Sequence, residues 1–245
     1  MKVKVKGMKG IVALGVGALL VTAGQARAQS RSVDELIVSL KDSRPEKQIE
    51  ALRTLAKRGA EAEKAVHPII PLLRDSDAPV RKEAAYTLGA IGPAARPAAG
   101  GLADALNDRS SDVRFTAAKA LRLIGSDSGT TVSALANALR DSEARVRYQA
   151  AKGLASIGSN SRAAVSQLAD ALRDSEPDVR YQAAAALGAI GPDARAALPA
   201  LETARNDSDP DVKDMANQAF GKIAGKPVPG AGARGHRRSR WDDGN

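Results

Sequence analysis

An aspartate and an arginine six residues apart recur along this chain: Asp75 with Arg81, Asp108 with Arg114, Asp141 with Arg147, and Asp174 with Arg180. A constant step of 33 residues carries the pattern on to Asp207 with Lys213 and back to Asp42. Repeated carboxylate–guanidinium pairs could be acid–base machinery, but regular repetition argues for a structural part. An aspartate in a turn can accept backbone N–H groups at the start of a helix, where the dipole favours negative charge. An arginine fork can at the same time bridge to the carboxylate of a neighbouring unit.

Other reactive groups are scarce. The chain has no cysteine and two histidines, His67 directly before a proline and His236 near the end. A transition-metal site needs convergent His and carboxylate ligands, which two isolated histidines cannot supply. No Ser/His/Asp set or phosphate-cradling glycine loop is present, so neither catalysis nor a cofactor or metal is expected. The few aromatic residues carry the sharper signal. Phe115, Tyr148 and Tyr181 each follow the arginine of their repeat, and Gln149 and Gln182 fill the next position. Tyr86 lies one helical turn further along its repeat, with Lys119 and Lys152 at the equivalent positions. A tyrosine column suits protein recognition, because the ring gives contact area and the hydroxyl gives direction. The same rings could instead pad the seam between helices.

These residues need helices to hold them. Val132, Leu135, Ala136 and Leu139 form one apolar stripe at helical spacing, and Val146, Ala150, Ala151, Leu154 and Ile157 form a second. The turn between them is Asp141-Ser142-Glu143. Gly158 closes the unit, as Gly92, Gly125 and Gly191 close theirs. Ser142, Ser175 and Ser208 stand where N-caps of the second helix are expected, and Pro177 and Pro210 fit its first turn. A fixed period of this length means a stack in which each unit buries its apolar face only against its neighbours.

The run Leu-x-x-x-Leu-x-Asp, then Val-Arg, then Ala-Ala-x-x-Leu-Gly-x-Ile-Gly resembles HEAT repeats of the phycobilisome-lyase-like subtype, from about Ser32 to Gly225. The resemblance implies an all-α, right-handed, armadillo-like solenoid of about six repeats. Its first helices would lie near 33–41, 64–74, 96–107, 130–140, 163–173 and 195–206. Its second helices would lie near 45–58, 78–91, 111–124, 144–157, 177–190 and 210–224. It also implies an Asp–Arg ladder between adjacent repeats and a concave surface lined by second helices. On that surface the aromatic column would form rungs roughly 10 Å apart, one helix spacing. Polar replacements at both ends, among them Lys47, Gln48 and Arg58 in the first unit and Arg205 and Lys213 in the last, suit terminal caps.

The two ends read differently from the body. Lys2, Lys4, Lys6 and Lys9 precede an uncharged apolar run from Ile11 to Ala23, then Ala26-Arg27-Ala28 and Gln29. That order is a secretory signal peptide over 1–28, with cleavage between Ala28 and Gln29. The run is short of the roughly 20 residues a membrane span needs. Export across a bacterial inner membrane to the periplasm or beyond is expected, with no span after cleavage. The whole chain has 37 basic and 28 acidic residues, but without the signal the balance is 32 against 28. Residues 29–226 would form the solenoid, close to neutral, and 227–245 a disordered basic tail carrying Arg234, Arg237, Arg238, Arg240 and the single Trp241. A near-neutral body argues against nucleic acid as partner. The expected function is a monomeric, non-enzymatic scaffold for a protein or extended peptide. The alternatives are an accessory subunit related to HEAT-like lyases or oxidoreductases, and polyanion binding through the tail.

Overall fold

The computed structural model describes residues 31–225 together with Ser239, Trp241 and Asp242. The expected signal segment 1–28, its cleavage point at Ala28 and Gln29, and the rest of the tail lie outside the described residues. Those described contain twelve α-helices and no strand. The second helices of the six repeats are α2 (Pro45–Arg58), α4 (Ala78–Ile91), α6 (Ser111–Ile124), α8 (Ala144–Ile157), α10 (Pro177–Ile190) and α12 (Pro210–Ala224). The first helices are α1 (Val33–Ser39), α3 (Val66–Ile69), α5 (Ala99–Ala105), α7 (Gly129–Ala138), α9 (Val165–Ala171) and α11 (Leu198–Ala204). Each second helix packs on the next along the stack, while successive first helices touch far less. The more tightly spaced row takes the inner radius, so the second helices form the concave face of an α-solenoid.

Small residues allow that tight spacing. A Cβ added to Gly89 would lie 3.1 Å from the Cα of Ala120 on the next inner helix, and one at Gly188 would lie 3.2 Å from Ala219. Between the two rows runs one continuous core of alanine, leucine, valine and isoleucine, including Leu52, Leu88, Leu121, Leu154 and Leu187 in successive second helices. Each second helix ends at a glycine with φ between 54° and 77°, a region costly for residues with a Cβ.

The first helices are less regular than expected. Segments near 64–74, 96–107, 163–173 and 195–206 divide into 3₁₀ turns followed by short α-helices; Gly59–Ala65, for instance, is 3₁₀ before α3. Pro68, Pro71 and Pro97 each lack the N–H that a continuous α-helical ladder needs. The serine caps are also displaced. The N-caps of α8, α10 and α12 are Glu143, Glu176 and Asp209, one residue after Ser142, Ser175 and Ser208. A turn aspartate two residues earlier holds each cap residue: Asp141 Oδ1 accepts the Glu143 N–H at 2.9 Å, and Asp174 and Asp207 accept from Glu176 and Asp209 likewise. Asp209 itself also caps α12 by accepting from Asp211 and Val212.

Candidate functional site

Each arginine of the repeat pattern ties its own turn to the next repeat. Arg147 Nη1 donates to the carbonyl of Asp141 in its own turn at 2.9 Å, while Nε and Nη2 fork onto Asp174 of the next repeat at 2.6 and 2.8 Å. Arg81 forks onto Asp108, Arg114 onto Asp141 and Arg180 onto Asp207 in the same way. Asp75 receives no such fork from the first repeat, because Gln48 stands where an arginine would be and donates to the Leu40 carbonyl. This ladder runs along the inter-repeat turns. Its groups are tied to one another, which leaves the chemistry of the inner face to the aromatic column.

That column divides by depth. Tyr148 is fully buried, Phe115 is 9% exposed, and Gln149 and Gln182 are buried beside them. Tyr181, Lys119 and Lys152 are half-buried, whereas Tyr86 is exposed. The Arg145 guanidinium stands 5.4 Å from the Phe115 ring centre, held there by bonds to Asp112 and Ser111. Gln182 on α10 reaches the Tyr148 hydroxyl at 3.5 Å, so Tyr148 does bridge adjacent inner helices. Lys152, one turn along α8, donates to the same hydroxyl at 3.4 Å and stands 5.4 Å from the ring centre.

The C-terminal residues sit on this rung. Trp241 places its ring 5.3 Å from that of Tyr148, tilted by 51°. Tyr148 Oη donates to Asp242 Oδ1 at 2.7 Å, and Lys152 Nζ donates to the same oxygen. Gln149 Nε2 donates to the Trp241 carbonyl at 3.3 Å, and Ser239 Oγ donates to Asp178 at 2.8 Å. The tail segment is folded on itself as well: Trp241 N–H reaches Ser239 Oγ, and Ser239 N–H reaches Asp242. The expectation of a solvated tail therefore fails for Ser239, Trp241 and Asp242. An indole and a carboxylate find a matching ring, hydroxyl and ammonium on the inner face, and that pairing outweighs the basic character of the surrounding tail.

The local electrostatics follow from this seat. Burial, then the bond to Asp242, raise the Tyr148 hydroxyl well above its ordinary range, so it stays protonated and donates. Burial pushes Asp242 up, but the bonds from Lys152 and Tyr148 outweigh it and leave the carboxyl below its usual value. Burial, with the Asp211 charge nearby, raises Tyr181. A phenol held protonated is a hydrogen-bond donor, not a nucleophile.

Beside the rung, Trp241 forms one wall of a cleft of about 630 Å³ that extends over α2, α4, α6 and the start of α8. Tyr86, Phe115 and Lys119 line it, with Arg53, Lys57, Lys82 and Arg145 against Glu83 and Asp112. The structure thus brings the expected column residues into two adjoining places. Tyr86, Phe115 and Lys119 lie in the open cleft, while Tyr148, Gln149, Lys152 and Gln182 lie at the occupied rung, with Tyr181 in the neighbouring recess beside Ser239. Sequence reasoning missed Asp178, Ser239 and Asp242. The available signal was a lone tryptophan followed by two acids inside an otherwise basic tail.

Among the described residues, no group of three or more His, Cys, Asp or Glu side chains is arranged to hold a metal, and no helix is long and apolar enough to cross a membrane. The family of HEAT repeats matches residues 33–122, 99–165 and 132–221, most of the chain. The chain belongs to the HEAT-repeat family. Among solved structures, this HEAT-repeat chain is similar to an engineered protein at 27% identity and a TM-score of 0.68, over 80% of this chain and 97% of that one. It is similar in fold to a designed armadillo repeat protein in complex with the peptide (KR)4, at 22% identity and a TM-score of 0.67, over 79% and 100% of the two chains. The complex of CpcE and CpcF of phycocyanin lyase from Nostoc sp. PCC7120 shares the fold at 22% identity and a TM-score of 0.57, over 79% and 77%. No curated protein matches the sequence.

Proposed function

We propose that this HEAT-repeat protein is an exported, non-enzymatic scaffold that holds an extended peptide along its concave face. The observation that carries the reading is the seating of the chain's own Ser239, Trp241 and Asp242 on inner-helix side chains. A surface that takes one peptide segment through ring, amide and ammonium contacts has the chemistry to take another. The adjoining cleft, open and lined by Tyr86, Phe115 and Lys119, is the place for it. A protein of this general fold can take a peptide: the designed armadillo repeat protein is in complex with (KR)4. Export is supported by the lysine-rich start, the apolar run and Ala26-Arg27-Ala28.

The test is panning of a random-peptide phage library against protein recovered from the periplasm, its first residue read by mass spectrometry. The mature chain is expected to begin at Gln29 and to enrich peptides whose affinity falls tenfold or more on combining Tyr86→Ala with Lys119→Ala. That loss is about 1.4 kcal/mol, the contribution of a modest interface anchor. Peptides indifferent to both substitutions, or no enrichment at all, would contradict the scaffold reading.

A further inference from the structure

Four side chains at the Tyr148 rung, Tyr148, Gln149, Lys152 and Asp178, between them meet four features of Ser239, Trp241 and Asp242. The Tyr148 hydroxyl and the Lys152 ammonium converge on the Asp242 carboxylate. The Tyr148 ring meets the Trp241 indole. Gln149 holds the Trp241 backbone carbonyl, and Asp178 takes the Ser239 hydroxyl. These are directional contacts to a hydroxyl, an aromatic face, a main-chain carbonyl and an acid, not apolar filling of a gap.

A second observation points the same way. Gln149 is 1% exposed, yet its Oε1 has no hydrogen-bond partner among the described residues. Buried acceptors are normally paired, and leaving one open is costly. With Nε2 on a peptide carbonyl, Oε1 stands ready for a peptide N–H, which is how an amide side chain grips an extended backbone. Ser239, Trp241 and Asp242 thus leave one buried acceptor of the rung unmet.

We infer that the Tyr148 rung is a recognition site for a peptide of the form Ser-x-aromatic-acid, that the chain's own Ser239, Trp241 and Asp242 are its tethered occupant, and that a partner peptide of the same chemistry enters by replacing them. This rests on the scaffold reading and names the partner class for that face. Replacement would also remove Trp241 from the cleft wall and join rung and cleft into one groove from α2 to α10. The occupant belongs to the same chain as the rung, so its binding is intramolecular, with an effective concentration on the order of 1 mM. For a weak segment with an intrinsic Kd of about 0.1 mM, that keeps the rung closed roughly nine-tenths of the time. A free peptide then binds about tenfold more weakly than its intrinsic affinity.

Fluorescence anisotropy with a labelled synthetic peptide of residues 236–245 tests this on the full chain. The double variant Trp241→Ala with Asp242→Asn is expected to bind the peptide about tenfold more tightly than the unaltered chain. Adding Lys152→Gln should remove most of that binding, and a peptide with the same tryptophan and aspartate replaced should not bind. Equal affinity for the open and unaltered chains, or binding indifferent to Lys152→Gln, would overturn the proposal. So would a concentration-dependent doubling of mass for the unaltered chain that the double variant lacks, since the tail would then occupy a second copy. Failure here, with library peptides still held through Tyr86 and Lys119, would remove the tethered occupant and leave the scaffold standing.

Discussion

Arg147→Ala is expected to lower the stability of the solenoid by about 3 kcal/mol, the usual cost of stripping one partner from a largely buried ion pair. Arg147 and Asp174 keep 14% and 8% of their side-chain exposure, and the fork between them is bidentate. Without the guanidinium, the Asp174 carboxylate keeps the Glu176 N–H but loses its counter-charge. The carbonyls of Asp141 and Ser142 lose a donor in the same stroke. The damage falls at the junction between the fourth and fifth repeats, and in a stack held by nearest-neighbour contacts a weak junction uncouples the two sides. Urea unfolding followed by circular dichroism should show an earlier and broader transition. Arg74→Ala is the control: its pair with Asp104 is 78% and 63% exposed, and its loss should stay within about 0.5 kcal/mol. A midpoint for Arg147→Ala no lower than the control's would remove the ladder from the account.

Acid should dismantle the whole ladder at once, with a larger combined effect than any one substitution. The Arg81 fork holds the Asp108 carboxyl below its ordinary value, and the Arg180 fork does the same for Asp207. At Asp141 and Asp174 burial pushes upward, but the arginine fork and the backbone N–H bond outweigh it, and both carboxyls are again lowered. A carboxyl lowered in the folded chain contributes stability that is complete above its unfolded value of about 3.9 and disappears as pH falls through the folded value. Melting temperature should therefore hold between about pH 7 and pH 5 and drop steeply below about pH 4. A midpoint unchanged well below that range would show that the carboxylates contribute little as anions.

The period made the inner helices legible to the residue. The spacing predicts 45–58, 78–91, 111–124, 144–157, 177–190 and 210–224, and α2 to α12 of the inner row occupy those positions. Two local rules set their ends, a turn aspartate bonded to the N–H of the cap residue and a glycine at positive φ after the last turn. The outer row was less legible because its prolines and short apolar stretches permit 3₁₀ turns as readily as α-helix. The serine caps were misplaced because Asp141, Asp174 and Asp207 act from two residues before the cap, on the cap residue's own N–H. The column of Phe115, Tyr148 and Tyr181 was visible as positions, but not what touches it. The bond between Tyr148 and Asp242 spans 94 residues and one partner lies outside the repeats, so no periodicity could announce it.

The emission of Trp241, the only tryptophan in the chain, reports directly on whether the concave face holds a peptide. With the indole against Tyr148, native protein should emit to the blue of free tryptophan, resist a soluble quencher, and shift to the red on unfolding or on Tyr148→Ala. Native emission that coincides with that of the unfolded chain, and is quenched as fast, would mean that the inner face holds no peptide segment.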